Sequence, residues 1–389
     1  LRYITNDTYP RTSLFTNDIY DSHIIPLDER WSIPYVDFKT IEDYYDVNNT
    51  KIIEFLELVK YNLTSAHYYM IMFVLLHIHM HLESFLFTTQ LVYKENPFKY
   101  KCLKYTLPIK KDIKCIESLE FISINNNIQF EQWFWQGHNY GRTNCSNKIV
   151  FDNEIGSHFN KIKPFKVSKT LVTTYMFLQF YLDEGYTKDI YWSKRGIIWK
   201  KKNCITMPLY WHYRSKDKEL YTNYFGDNIN LKDIYNYPII HISWYEAEAY
   251  CNWIGGRLLT ESEWEYLSTN KSKTQYPWGN SEDLLKKCNL NYEKEWITSI
   301  LDNDPILNNK YGVEQLIGNC WEWCSNVIYP YPDFNIDPLY REMSYTSFGF
   351  KKICRGGAWC VPDYLITSTY RNAQAPECRK QYIGFRVAI

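Results

Sequence analysis

One stretch of the sequence combines a helical pattern with metal-binding side chains. Residues 66–76 are apolar and aromatic and contain neither Gly nor Pro, so they predict a buried helix. The run continues as His77-Ile-His-Met-His81-Leu-Glu83. Because residues four apart share one helical face, His77 and His81 can bind a single metal ion, whereas His79 points elsewhere. On these residues alone zinc, iron and a core with two hydrogen-bonded histidines all remain open, and a catalytic metal needs a third ligand from elsewhere.

Composition limits the classes of partner. The chain has 389 residues, enough for two or three domains, with 44 basic and 44 acidic residues. A chain with zero net charge lacks the excess of positive charge that is typical of nucleic-acid-binding proteins, and this favours a small-molecule partner. No run of about 18 apolar residues occurs, which predicts no membrane span. The eleven cysteines contain no CxxC pair, so mostly reduced thiols are expected.

The residue pattern changes from helical to strand-and-turn along the chain, which predicts an α+β protein. Residues 1–100 are predicted to form part of a helix bundle, with Asn49-Thr50 as a cap between two helical segments. Residues 101–127 are predicted to be a connector. Residues 128–389 are predicted to form a second domain of short strands, turns and short helices.

Two short helices and one β-like run are predicted within this second domain. The helices cover 173–184 and 244–253, the latter with Gly255-Gly256 at its end. The β-like run is Tyr237-Pro-Ile-Ile-His-Ile-Ser243.

Five motifs in the second domain resemble one superfamily, that of the formylglycine-generating enzymes or sulfatase-modifying factors. They are His241-Ile-Ser-Trp-Tyr-Glu continuing to Tyr266, Tyr276-Pro-Trp-Gly-Asn280, Gly318-Asn-Cys-Trp-Glu-Trp323, Arg355-Gly-Gly-Ala-Trp359 and Gly384-Phe-Arg-Val-Ala388. The resemblance implies a C-type-lectin-like fold. Formylglycine-generating enzymes carry two copper-binding cysteines five residues apart. Here Cys360 falls near the first position, and Leu365 occupies the position five residues later. A two-thiolate copper site is therefore not expected, and an oxidase working through Cys360 alone is the least favoured function.

The order of motifs also resembles the sulfoxide synthases of ergothioneine and ovothiol biosynthesis, in which a DinB-like bundle precedes such a domain. Their bundle motif His-x-x-x-His-x-Glu is matched by His77, His81 and Glu83. The resemblance implies a mononuclear Fe(II) held by three histidines, including His77 and His81, with Glu83 orienting a ligand or a neighbouring helix. It implies O2, trimethylhistidine (a histidine betaine) and cysteine or γ-glutamylcysteine as substrates, a cytoplasmic location, and the ergothioneine type because no methyltransferase domain follows the last motif.

The first histidine of that family would lie upstream of the segment corresponding to 13–17, where this sequence has none. The favoured expectation is that the helix bearing it is absent from this sequence. The alternatives are a ligand supplied by other sequence and substitution by His23.

The resemblance also implies substrate-binding and catalytic residues. Arg371 and Asn372 match the family's Arg-Asn pair, and Arg379 is a candidate for binding a carboxylate. The following Ala373-Gln374 departs from the Trp-Asp of enzymes that use γ-glutamylcysteine, so the thiol stays open.

The family's proton-donating tyrosine aligns with Met343, which makes Tyr340 and Tyr345 the candidates. Calcium sites of the superfamily point to Asn289, Asn291 and Asn319.

Two functions follow from these observations. The first is an iron- and O2-dependent sulfoxide synthase. The second is a catalytically silent member that acts as a binding or scaffolding subunit of a complex, which would account for the missing histidine and for Met343.

Overall fold

The computed structural model describes residues 37–95, 114–125, 131–138, 149–271, 274–294, 296–338 and 344–389. The helices in these ranges are α1 (Phe38–Val59), α2 (Ser65–Glu95), α3 (Thr174–Leu182), α4 (Lys194–Lys202), α5 (Trp244–Trp253) and α6 (Glu261–Ser268). The strands are β1 (Phe121–Ile124), β2 (Gln132–Gln136), β3 (His158–Ile162), β4 (Phe165–Ser168), β5 (Trp211–Arg214), β6 (Glu219–Tyr224), β7 (Asp227–Asn230), β8 (Arg257–Leu258), β9 (Trp321–Val327), β10 (Lys352–Arg355), β11 (Asn372–Gln374), β12 (Ile383–Gly384) and β13 (Val387–Ala388). The predicted α+β class is confirmed.

Helix α1 is continuous where the sequence predicted a break. Asp37 caps its start by accepting a hydrogen bond from the Thr40 backbone N–H at 3.0 Å. The predicted cap at Asn49-Thr50 is wrong. Asn48 Nδ2 and Thr50 Oγ1 instead donate to the carbonyls four residues before them, at 2.6 and 2.9 Å. These bonds satisfy polar side chains without ending the helix.

Helix α2 forms as predicted, but its first half is less buried than expected. Phe73 and Leu76 are buried, whereas Val74 and Leu75 are exposed. Within α2, Ser65–Tyr93 is long and apolar enough to cross a membrane by length and composition, and 11% of its most apolar window is buried. The sequence prediction of no span rests on the histidines, which interrupt the apolar run.

The chain's two compact units divide between Leu76 and His77, within helix α2. In the first unit, the Phe55 ring of α1 packs edge-on against the His67 ring of α2, with centroids 5.7 Å apart. The predicted domains 1–100, 101–127 and 128–389 stay a prediction.

Two four-stranded sheets organise the second unit. One has the strand order β1-β4-β13-β8 and the other β11-β10-β9-β12. In the second sheet β12 runs parallel to β9, which pairs Ile383 with Trp321, and β10 pairs antiparallel with both β9 and β11. The connection from β10 to β11, residues 356–371, therefore starts and ends at the sheet that contains Trp321.

Short helices pack beside these sheets and begin with strong caps. Ser243 and Glu246 form a capping box at α5, and Thr260 and Glu263 form one at α6. The bounds predicted for α5 are confirmed, and α3 begins after its N-cap Thr173.

The predicted β-like run 237–243 is wrong as a strand. It makes a single bridge, between Pro238 and Thr173, because His241 turns the chain with a φ of +61°.

Buried ion pairs hold the sheets to the helices. Arg386 binds Glu322 of β9 through two hydrogen bonds, Nε–Oε2 at 2.7 Å and Nη2–Oε1 at 2.8 Å. Arg355 Nη2 donates to Glu265 Oε2 of α6 at 2.6 Å. Each of these side chains is almost fully buried, so each charge depends on its partner.

The buried His241 side chain is expected to make the free energy of unfolding depend on pH. It is 4% exposed between the rings of Tyr210 and Tyr382, and burial lowers its pKa from 6.5 to about 3. The unfolded chain therefore binds a proton that the folded chain does not, so stability is lost as the pH falls from about 6.5 towards 3. We expect the wild-type protein to lose about 2 kcal/mol more than a His241→Asn variant between pH 7 and pH 5.

Asn is the matched substitution because it tolerates a positive φ and cannot titrate. Urea unfolding at the two pH values measures the difference. Equal losses in the two proteins would contradict the prediction.

Candidate metal and substrate site

The side chains of His77 and His81 converge as the helical spacing predicts. Their Nε2 atoms lie 2.8 Å apart, and their rings stack with centroids 4.6 Å apart. His77 is half-buried and His81 is exposed. Burial, and then the neighbouring His81, lower the pKa of His77, which favours the neutral imidazole that binds metals.

The two imidazoles open onto a cavity of about 190 Å³. Helix α2 contributes the three histidines, Glu83 and Ser84 to its lining, and Val361, Pro362 and Leu365 of the β10–β11 connection contribute apolar surface. Its remaining polar lining consists of Tyr370, Asn372, Gln374 and Gln381. Among the described lining residues there is no Lys or Arg, so the polar groups that a ligand meets are imidazoles, the Glu83 carboxyl, carboxamides and hydroxyls.

Glu83 ties the histidine-bearing helix to the sheet. Its Oε1 accepts a hydrogen bond of 3.0 Å from the indole N–H of Trp321, the first residue of β9. Burial raises the pKa of this carboxyl to about 7, although the Trp321 hydrogen bond opposes the shift. Glu83 thus contacts the scaffold, and its assignment as a residue that orients a ligand or a helix stays a prediction.

His79 makes a second connection to the β10–β11 segment. The hydroxyl of Tyr364 lies 2.6 Å from His79 Nδ1, and the two rings meet edge-on with centroids 5.4 Å apart. Tyr364 lies in the segment that contributes Pro362 and Leu365 to the cavity, so this contact joins α2 to that segment.

The two predicted substrate arginines bind carboxylates of the scaffold. Arg371 is 1% exposed and holds Glu261 with two hydrogen bonds, Nε–Oε1 at 2.7 Å and Nη2–Oε2 at 3.1 Å. The guanidinium of Arg379 pairs with Glu246, Nε–Oε2 at 3.0 Å. Neither arginine lines the cavity, so a role in binding substrate stays a prediction for both.

The third predicted substrate residue, Asn372, does line the cavity. Its Oδ1 accepts from the backbone N–H of Ala373 at 2.7 Å, which fixes the orientation of the carboxamide. Sequence reasoning missed Tyr370, Gln374 and Gln381. Tyr370 directly precedes the Arg371-Asn372 pair, and Gln374 is one of the two residues that depart from the family's Trp-Asp. No motif in the sequence pointed to Gln381.

The remaining predicted residues lie outside the cavity or outside the described ranges. Tyr345 is 51% exposed in a 3-10 turn and does not line the cavity, while Tyr340 and His23 fall outside the described residues. In the part of the chain that the structure describes, no group of three His, Cys, Asp or Glu side chains converges on one point. The third metal ligand stays a prediction.

The asparagines considered for calcium brace loops. Asn319 Oδ1 accepts from Asn289 Nδ2 at 3.1 Å and from the Thr298 backbone N–H at 2.8 Å. Asn291 Oδ1 accepts from the Asp363 backbone N–H at 2.9 Å. The side-chain oxygens of Asn319 and Asn291 already accept hydrogen bonds and give calcium binding no support, whereas the buried Oδ1 of Asn289 accepts none from the described residues.

Cys360 is fully buried beside the cavity. Burial, reinforced by the nearby Glu83, raises the pKa of its thiol well above the ordinary value. Because the thiolate is the metal ligand and nucleophile, this thiol is inert at neutral pH. The nine cysteines in the described residues are free thiols.

Comparisons with known proteins support the resemblance. Residues 135–389 match the sulfatase-modifying factor enzyme 1-like domain, a range that begins after helix α2. A hercynine oxygenase of Mycobacterium tuberculosis is 31% identical over 243 residues, covering 61% of this chain and 55% of that protein. A formylglycine-generating enzyme of Thermomonospora curvata is 28% identical over 183 residues, covering 42% of this chain and 59% of that protein.

Among solved structures, PvdO from Pseudomonas aeruginosa has 18% identity and a TM-score of 0.45, covering 74% of this chain and 99% of that chain. The chain spans about half the length of the curated hercynine oxygenases that it matches. The family match extends over more than half of this sequence, and the resemblance drawn from the motifs is confirmed. The chain belongs to the sulfatase-modifying factor enzyme 1-like family.

Proposed function

We propose that this chain is an iron- and O2-dependent sulfoxide synthase, which forms a C–S bond between a histidine derivative and a thiol. The observation that carries the proposal is the pair of imidazole Nε2 atoms, 2.8 Å apart, at a cavity lined by residues of the sulfatase-modifying-factor domain. The similarity to hercynine oxygenases supports trimethylhistidine as the histidine derivative.

The distance between the two imidazoles is compatible with one shared metal ion. Two imidazoles bound to one ion at about 2.1 Å lie roughly 3 Å apart, and without a metal the observed 2.8 Å is a hydrogen-bond distance between the two rings. His77 and His81 would hold Fe(II), and the family resemblance supplies the expectation of a third histidine.

Bound iron would supply the activation of O2 and the binding of the thiol. The chain's own residues would bind and orient the organic substrates. Asn372, Gln374 and Gln381 offer carboxamides that can donate to a carboxylate and accept from an ammonium group. The apolar side chains of Val361 and Leu365 would exclude water from the same cavity.

The reaction balances without a further reductant. One O2 supplies the sulfoxide oxygen and the oxygen of one water, and the two hydrogens of that water come from the imidazole C–H and the thiol S–H. The thiol is cysteine or γ-glutamylcysteine, which the sequence left open.

Anaerobic loading with Fe(II), followed by turnover in air, tests the proposal. We expect about one equivalent of iron and, with trimethylhistidine, a sulfoxide product detected by mass spectrometry for at least one of the two thiols. An anaerobic reaction is the control. A protein that stays iron-free, or an iron-loaded protein that forms no product with either thiol, would contradict it and favour the silent member.

A further inference from the structure

A groove in the second unit lies apart from the histidine cavity. Helix α3, the sheet β5-β6-β7 and the 3-10 turn after β7 line it, and its volume is about 440 Å³. None of its described lining residues also lines the histidine cavity. Pockets that bind small molecules have volumes of roughly 300–1,000 Å³. The groove is therefore large enough for one small molecule of its own.

Leucine and tyrosine side chains give the groove an apolar surface. Leu178 of α3 and Leu231 after β7 are buried, whereas Leu182 at the end of α3 is 61% exposed. Tyr213 of β5 also lines the groove and is 54% exposed. Removing exposed apolar side chains from water is favourable, so a ligand that covers Leu182 and Tyr213 gains affinity.

Two further tyrosine rings of the groove are held by their neighbours. Tyr181 of α3 meets the Trp211 ring edge-on with centroids 6.2 Å apart, and Tyr235 meets the Tyr175 ring edge-on at 5.0 Å. Each tyrosine combines a flat apolar ring with a hydroxyl that donates hydrogen bonds. Because packing holds these rings in place without a ligand, binding costs less conformational entropy.

The charged side chains of the groove include one cation outside the local ion pairs. Asp217 Oδ2 accepts from Arg214 Nε at 2.9 Å, and Glu219 pairs with Lys232. The hydrogen bond from Arg214 holds the pKa of Asp217 well below its ordinary value, so this carboxylate stays ionised and paired. The ion pairs described for this hairpin do not include Lys218, which lines the same groove. The local charge therefore favours an anion.

The backbone turn fixes where the Lys218 side chain begins. Its N–H donates to the Arg214 carbonyl at 3.0 Å, which closes the hairpin between β5 and β6. Its φ is +57°, a conformation that favours glycine. Residues held in such conformations cluster at ligand-binding sites. Lysine at this position supplies an ammonium group to the groove, which glycine would not.

We propose that this groove binds a small aromatic monocarboxylate. The aromatic body packs on the leucine and tyrosine side chains, and the carboxylate pairs with the Lys218 ammonium. An aromatic ring matches the flat faces of the tyrosines, and a single negative charge matches the single cation that the described ion pairs leave out. The inference goes beyond the proposed function and does not depend on iron.

Calorimetric titration of the full chain with 1-naphthaleneacetate tests the proposal. We expect one molecule to bind with a Kd of about 0.1–1 mM, the range that the usual ligand efficiency gives for a ligand of this size. The neutral analogue 2-(1-naphthyl)ethanol should bind about 3–5-fold more weakly, the usual contribution of a partly exposed ion pair. Anaerobic Fe(II) loading should leave both affinities unchanged, because the described lining residues of the two sites differ.

Three variants locate the binding. Lys218→Gln should weaken binding of the carboxylate about 3–5-fold and leave that of the alcohol unchanged. Leu182→Ala should weaken both ligands about threefold, because it removes apolar contact at an exposed position. Lys216→Gln is the matched control, since Lys216 is exposed in the same hairpin and does not line the groove. The proposal is overturned if the carboxylate does not bind, or if either Lys218→Gln or Leu182→Ala leaves its affinity unchanged.

Discussion

Replacing His77 with alanine is expected to remove the bound iron and to lower kcat/KM by roughly a thousandfold or more. Losing a residue that only orients a metal ligand costs about 10–100-fold in metal affinity or activity, and loss of a ligand itself costs more. His81→Ala should have the same effect, because the two Nε2 atoms lie 2.8 Å apart and would bind the same ion.

His67→Ala is the matched control for these variants. His67 lies on the same helix, ten residues before His77, and contacts Phe55. Alanine is the best helix former, so none of the three changes should disturb α2. Iron analysis after anaerobic Fe(II) loading and steady-state kinetics provide the readout. One equivalent of iron in His77→Ala would refute the assignment of the pair.

The sequence predicted the histidine pair because the decisive interaction is local. Residues four apart meet on a helix whatever surrounds it, and the stretch from Ser65 to Glu95 contains neither Gly nor Pro. The sulfatase-modifying-factor domain was equally predictable, because its Gly, Trp and Arg motifs occur in the family's order along the chain.

The substrate pocket was harder to predict because distant residues decide it. Arg371 stands next to Asn372 in sequence, yet Glu261, 110 residues away, takes up its guanidinium while Asn372 lines the cavity. Tyr370 differs from Tyr345 only in what packs around it, namely Trp321 and Phe151. A chain with 36 tyrosines gives no local signal that singles out one of them.

Arg355→Met is expected to destabilise the protein by about 3–5 kcal/mol, the usual cost of removing one partner from a buried ion pair. The Arg355 side chain is fully buried, and its removal leaves the Glu265 carboxylate without its cation. It also leaves the carbonyls of Ser368, Thr369 and Tyr370 without a donor.

Two further variants test whether the unpaired Glu265 carboxylate causes the loss of stability in Arg355→Met. Lys286→Met removes a similar cation from the exposed pair with Asp283 and should leave the unfolding midpoint unchanged. Adding Glu265→Gln to Arg355→Met removes the stranded charge and should recover part of the lost stability. Urea unfolding of the three proteins measures each effect. If the double variant is no more stable than Arg355→Met, the three carbonyls rather than the Glu265 charge account for the loss, and Arg355 acts mainly by holding the backbone of Tyr370 at the cavity.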